Sequence, residues 1–297
     1  MQLVVFLQFL LLWVFFSANA QLLPCNGHPE LCNLRYNEVT YPTTHNAFNA
    51  ARSKQRWTYP NQKYDLPRQL KDGVKAFMID VHYYNGPNKK LQALKPVMVF
   101  HSFAVLGYRP LDDILDMFVS YMDANPNEVL TFVCQCSVTP NDFAKIVEQH
   151  PIYRYVHAQP KNEPWPTLGH MVSSGKRFVF LIDRTDSSSK AWQHQQYDYG
   201  FENPYSNKSL RNYNCNLKRE ADTTKALYVF NHFLTGTFAR RSKNRKANSY
   251  EVLMGRVNQC QEQVGKRINF LTVDWYHSGH LFQVADELNG IKQPKKP

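Results

Sequence analysis

Four short runs of this chain pair apolar residues with groups that can do chemistry, and they restrict its fold more than any other feature. They are Tyr41-Pro42-Thr43-Thr44-His45-Asn46-Ala47-Phe48, Phe77-Met78-Ile79-Asp80-Val81-His82, Val97-Met98-Val99-Phe100-His101 and Phe270-Leu271-Thr272-Val273-Asp274. Parallel strands covered on both faces read as near-continuous apolar runs, and in barrels of such strands the reactive side chains gather where the strands end. A lone histidine there is more simply a hydrogen-bonded structural residue. Two histidines, two aspartates and an asparagine at such ends point to one active or binding site at the top of a barrel.

The intervening sequence supplies helices. Asp65, Pro67 and Gly73 bracket a short one near 65–72. Leu111, Ile114, Leu115, Phe118, Val119 and Met122 share one face of a helix over 111–125 that Pro126 stops. A strand at 129–136 follows, then a helix at 139–149 with Thr139 as its cap and Pro140 in its first turn. Helices at 167–175, 249–265 and 281–288 alternate with strands at 177–183, 227–233 and 268–275. Such alternation predicts an α/β fold on a parallel sheet.

Residues 1–20 form an uncharged apolar run closing on Ala18-Asn19-Ala20, which reads as a cleavable signal peptide. A membrane anchor is the alternative, because the run is near the ~20 residues that a span needs. Residues 21–297 carry no Gly/Ser-rich linker or repeat and read as one domain. Six cysteines fit an oxidising compartment. Cys25 with Cys32, and Cys215 with Cys260, are the disulfide candidates, although sequence alone does not fix the pairing. Cys134 and Cys136 lie two apart on a strand, share a face, and read as buried thiols.

The net charge of +11 belongs wholly to residues beyond the signal run, and a basic secreted protein is drawn to anionic membrane or matrix. No nucleic-acid motif is present. The densest basic run, residues 240–246, reads as a solvated loop, and the tail at 292–297 as frayed. Residues 186–218 show little periodicity and suggest a long irregular connection, with Asn207 in a glycosylation sequon. Tyr197, Tyr199, Phe201, Tyr205 and Tyr213 staple that connection down in the simpler reading, or line a head-group cleft in the other.

The order of several short motifs resembles the X-domain of phosphatidylinositol-specific phospholipase C. They are Thr44-His45-Asn46, Gln69-Leu70-Lys71-Asp72-Gly73-Val74 leading into Met78-Ile79-Asp80, Phe100-His101-Ser102-Phe103, Asn125-Pro126-Asn127-Glu128-Val129, Trp165-Pro166-Thr167-Leu168 and Val273-Asp274-Trp275-Tyr276. The resemblance spans most of residues 21–297 and implies a single, irregular (β/α)8-type TIM barrel. Strand parity puts Met78, Asp80 and His82 on one face, and the resemblance makes that face the interior, together with Thr131, Val133 and Gln135.

What the resemblance implies chemically is a secreted phosphoric diester hydrolase acting on a phospholipid or another phosphodiester. His45 is then the general base, His101 the general acid, and Asp274 the carboxylate that holds His45 in its working tautomer. Asn46, Asp80, His82 and Gln135 stand where calcium-dependent relatives keep oxygen ligands, mainly carboxylates, and where metal-free relatives keep an arginine at the position of His82. Asp80 is the only carboxylate of the four, so the sequence implies weak calcium binding, or a protonated His82 meeting the phosphate instead. A relative that binds anionic lipid or matrix without turnover is the alternative function. A sphingomyelinase D or glycerophosphodiesterase barrel fits less well, since Asp80-x-His82 stands where a Glu-x-Asp metal pair is expected.

Overall fold

The computed structural model describes residues 24–217, 222–236 and 241–292. The expected leader at 1–20 and the tail at 293–297 lie outside the described residues. After two 3-10 turns, Pro29–Asn33 and Tyr36–Glu38, come β1 (Tyr41–Thr44) and a small parallel pair, β2 (Ala50–Arg52) and β3 (Gln62–Tyr64). Helix α1 (Leu66–Asp72) ends on Gly73 at φ +104 and leads into the long strand β4 (Ala76–Tyr83). An excursion follows through α2 (Lys89–Leu94), β5 (Val97–Val99) and β6 (Arg109–Pro110). Next come α3 (Leu111–Ala124), β7 (Leu130–Cys136), α4 (Pro140–Gln149), α5 (Leu168–Ser173) and β8 (Phe178–Ile182). Strand β9 (Gln193–Gln195), helix α6 (Gln196–Tyr199) and strand β10 (Gly200–Glu202) adjoin directly. The last elements are β11 (Leu227–Asn231), α7 (Arg241–Ala247), α8 (Tyr250–Val264), β12 (Phe270–Val273) and α9 (Leu281–Leu288).

Eight strands pair in parallel in the order β10-β11-β12-β1-β4-β7-β8-β9, so the sheet curls into the expected irregular barrel. Among the described residues the ladder does not close between β9 and β10, which α6 alone connects. The outward faces of β4, β7 and β8 put Phe77, Phe132, Phe178 and Phe180 against Phe118 of α3 and Phe143 of α4. Inside, an aromatic plug closes the bottom: Tyr36 stacks on Trp165 at 4.4 Å, and Tyr41 on Phe270 at 5.5 Å. The Tyr36 hydroxyl is 2.6 Å from Thr131 Oγ1, which fixes Thr131 as inward-facing. With an apolar floor filled, polar side chains collect at the mouth.

Several expectations hold at this level. Thr139 and Thr167 cap their helices by accepting from the backbone N–H groups of Asp142 and His170. Disulfides join Cys25 to Cys32 and Cys215 to Cys260. Cys134 and Cys136 are buried thiols, and burial pushes Cys136 up to about 11, far from the thiolate that reactivity needs.

Others need correction. Asp65 precedes α1 but its side chain makes no capping bond. The basic run is not a loop: α7 covers Arg241–Ala247, anchored by buried Asn244 and Ala247. The connection at 186–218 contains two barrel strands, β9 and β10, each only three residues long. Asn207 is 1% exposed and its amide donates to Pro204 O at 2.9 Å, so the folded chain does not present it for a glycan. Finally, the run at Val97–Val99 is not a barrel strand but pairs antiparallel with the end of β4.

Candidate active site

The last correction explains how the site assembles. Strand β1 pairs with β4 only at Thr43–Ala76 and Thr44–Phe77, then turns away at His45 and at Asn46, which takes the left-handed φ of +44 that asparagine tolerates. That turn leaves one edge of β4 unpaired beyond Phe77. Ala47 N–H bonds to Met78 O, Phe100 N–H bonds to Asp80 O, and β5 takes the edge at Val81–Tyr83. The loops that carry His45 and His101 are thereby both tied to the strand that carries Asp80.

His45 Nδ1 lies 2.9 Å from Asp274 Oδ1, just past the end of β12. A carboxylate only accepts, so Nδ1 carries the proton and Nε2 is left as the basic nitrogen. The Asn61 amide donates to both oxygens of Asp274, at 3.1 and 3.2 Å. Gln62 Nε2 donates to His45 O at 2.8 Å and to Val273 O at 3.1 Å, pinning the two strand ends together. The Phe233 ring lies flat on the imidazole, with centroids 3.7 Å apart.

Across the same cavity, His101 Nδ1 lies 2.8 Å from Asp80 Oδ2. That hydrogen bond holds the His101 pKa above the ordinary imidazole value, against a smaller lowering by burial, and the charges of Asp80 and Asp274 add to the rise. The two pairs and Gln135, opposite Asp80 on the neighbouring strand, line one cavity of about 420 Å³. Its far wall is a polar network of which sequence reasoning named only Tyr197. Asn231 Nδ2 and the Tyr197 hydroxyl donate to the two oxygens of Glu202, at 3.1 and 3.2 Å. No Lys or Arg lines the cavity among the described residues.

The structure thus brings together His45, Asn46, Asp80, His101, Gln135 and Asp274. His82 is the exception. It does not line the cavity but stacks on Phe100 at 4.5 Å, and burial holds its pKa below the ordinary value. A half-buried imidazole with a lowered pKa and one face against Phe100 is poorly suited to meet a phosphate as a cation. Among the aromatics of the irregular connection, Tyr199 and Phe201 do staple, the first by donating to Gln159 O, the second packed on Tyr228. Tyr213 packs on His232, while Tyr197 and Tyr205 line the cavity instead. Asn61, Phe233, Glu202 and Asn231 carried one readable signal, a polar residue or aromatic at a strand end, and only β11 was long enough to show it.

The donor set does not fit calcium. Calcium takes roughly six to eight oxygen ligands, several of them carboxylates. Here Asp80 is the single carboxylate of the expected set and already accepts from His101. Asn46 donates its Nδ2 to Asn61 Oδ1 at 3.3 Å, and its own Oδ1 would add only one neutral oxygen. Among the described residues no three His, Cys, Asp or Glu side chains converge as metal ligands.

The family described as PI-PLC X 1 matches residues 31–289 of this chain. An uncharacterized secreted protein of Arthroderma benhamiae is 25% identical, over 90% of this chain and 64% of its own length. A PI-PLC X domain-containing protein of Arabidopsis thaliana is 25% identical, over 86% and 63% respectively. The chain therefore spans just under two thirds of the length of these two relatives. A second A. benhamiae protein, PI-PLC X domain-containing protein 1, is 24% identical, over 92% of this chain and 91% of its own. Among solved structures, the phosphatidylinositol-specific phospholipase C of Listeria monocytogenes matches with a TM-score of 0.55 at 14% identity, covering 89% of this chain and 98% of that one. A variant of the Staphylococcus aureus enzyme of the same name also reaches 0.55, at 17% identity, covering 89% and 97%. At such identities the likeness is one of fold.

Proposed function

The chain belongs to the phosphatidylinositol-specific phospholipase C X-domain family, and from that premise we propose that it is a secreted phosphodiesterase cleaving a phospholipid between phosphate and lipid alcohol. The observation that carries this reading is the pair of histidine–aspartate couples lining one cavity, His45–Asp274 and His101–Asp80. A head-group hydroxyl beside the phosphate gives its proton to His45 Nε2, and its oxygen attacks phosphorus. The bond from phosphorus to the lipid oxygen breaks, and His101 gives its proton to that oxygen. A cyclic phosphodiester and a lipid alcohol result, and the reverse proton movements restore both histidines when water opens the ring.

The raised pKa of His101 supports its role as the acid, since it keeps the proton toward neutral pH. Asp274 stabilises the imidazolium that forms on His45. With no fitting calcium set, the phosphate charge is met by the His101 cation and the amides of Asn46 and Gln135. Secretion is supported by the leader-like run at 1–20, by two disulfides and by the description of the fungal relative as secreted.

The test is detergent-dispersed phosphatidylinositol with purified protein in EDTA, followed by phosphorus NMR for the cyclic product. Appearance of that product, lost in His45→Ala, is the expected result. No turnover of any phosphodiester in a panel, with lipid binding retained, contradicts it and favours the non-catalytic binder.

A further inference from the structure

Beside the turn that follows β12, cations gather on a surface that the proposed chemistry does not use. The β2–β3 pairing sets Arg52 next to Tyr64, and three cationic groups converge on that ring. The Lys63 ammonium and the Arg68 guanidinium each lie 4.7 Å from its centroid, and the Arg52 guanidinium 6.0 Å. The His277 ring meets Tyr64 edge-on, with centroids 5.5 Å apart. Arg241, the first residue of α7, donates from Nε to Ser278 Oγ at 3.4 Å and so brings a fourth cation to the turn that holds His277. Arg245, exposed and one helical turn further on, extends the same flank of α7.

Both rings register the charge. A hydrogen bond from Lys63, and then the charges of Lys63, Arg68 and Arg52, pull the Tyr64 hydroxyl below its ordinary value. Burial, with the charges of Lys63, Arg241 and Arg52 behind it, pushes His277 down to about 4. Compensation is thin: among the described residues Asp72, 2.6 Å from Arg68, is the one carboxylate in ion-pair contact with these four cations. Like charges held this close repel one another, and an external polyanion relieves that repulsion.

The chemistry of that polyanion follows from what the surface offers. Arg52, Arg68 and Arg241 are exposed and Lys63 is half-buried, so the charges face solvent. Guanidinium forks match the paired oxygens of an oxyanion. No residue of the surface is among the large apolar side chains that stand exposed, so it has nothing to sink below lipid head groups as an interfacial docker does. A sulfated polysaccharide presents oxyanions at intervals along a chain and is met outside cells, where two disulfides are stable. None of the four cations lines the cavity of about 420 Å³, so an occupant here does not fill it.

We propose that Arg52, Lys63, Arg68 and Arg241, gathered around Tyr64 and His277, form a docking surface for a sulfated polysaccharide, outside the catalytic cavity. The assignment is independent of turnover and stands or falls on binding alone.

The experiment is titration calorimetry of the purified protein with a heparin-derived oligosaccharide, at physiological ionic strength and again at rising salt. Arg52→Gln with Lys63→Gln and Arg241→Gln is expected to weaken binding by roughly thirtyfold or more, at about fivefold per cation. The slope of log affinity against log salt should fall by about one for each cation removed. Arg241→Gln alone, a surface change on α7, should cost about fivefold and decides the matter should the triple variant not fold. Lys89→Gln with Lys90→Gln and Lys145→Gln removes the same charge from exposed positions on α2 and α4 and should bind like the parent. Equal affinity of the parent and the Arg52/Lys63/Arg241 variant overturns the proposal. So does an equal loss in the Lys89/Lys90/Lys145 variant, or a parent that does not bind the oligosaccharide, whether or not it sediments with phosphatidylserine vesicles.

Discussion

The His45 imidazole is gripped by Asp274 and by the flat face of Phe233, with 21% of its side chain exposed, whereas His101 leans on Asp80 with 53% exposed. Their carboxylates differ in the same sense. Asp274 is 1% exposed and takes two bonds from Asn61, while Asp80 sits partway up β4 at the cavity wall. The first pair lies where two neighbouring barrel strands end; the second is delivered by an antiparallel excursion off the barrel. The contrast follows the two roles. A base that must find one hydroxyl needs one tautomer and one position, which rigid strands provide. An acid that protonates a departing lipid must sit where the lipid leaves.

Removing each side is the strongest way to break this comparison. His45→Ala should lower turnover by roughly two to four orders of magnitude, the usual share of acid–base catalysis, whatever the leaving group. His101→Ala should cost as much on phosphatidylinositol yet little on a nitrophenyl-type substrate, whose anion leaves without a proton. Equal losses on both substrates would make the two histidines interchangeable and end the assignment.

Smaller changes sharpen it. Asn61→Ala removes both amide bonds to a buried carboxylate, so rate should fall by about tenfold and stability by about 1.5–3 kcal/mol, read by parallel kinetics and thermal melts. An Asn61→Ala variant with unchanged rate would mean that the firm hold on Asp274 is not needed. The smallest effect is on pH dependence. The acid works protonated, and Asp80 raises its pKa, so activity falls as pH rises through that value. Asp80→Asn should move this alkaline limb to lower pH.

The barrel was legible because three of the four apolar runs with reactive groups, at β1, β4 and β12, are barrel strands as read. The His45–Asp274 pair was equally legible, as the resemblance implied it. What sequence could not show is a partner created by turning. Asp80 was read as a substrate-phosphate or metal position; its pairing with His101 was not legible, because it arises where β1 leaves the edge of β4 early and β5 reverses onto it. His82 followed the inward parity of Met78 and Asp80 correctly, yet the strand outruns the barrel there and Phe100 covers the ring. Strands β9 and β10 were lost inside an irregular stretch since three residues give no period to read. Glu202 of the cavity wall went with them, whereas Tyr197 was legible as a residue that either staples the connection or lines a cleft.

The measurement that bears most directly on the account is the pH–rate profile on phosphatidylinositol of the unaltered protein and of Asp80→Asn, each in EDTA and in millimolar calcium. If Asp80 serves His101, EDTA leaves the rate unchanged, and Asp80→Asn still turns over with its alkaline limb displaced to lower pH. If EDTA abolishes turnover, calcium restores it, and Asp80→Asn behaves like the EDTA-treated protein at every pH, then Asp80 holds a metal and the account is wrong.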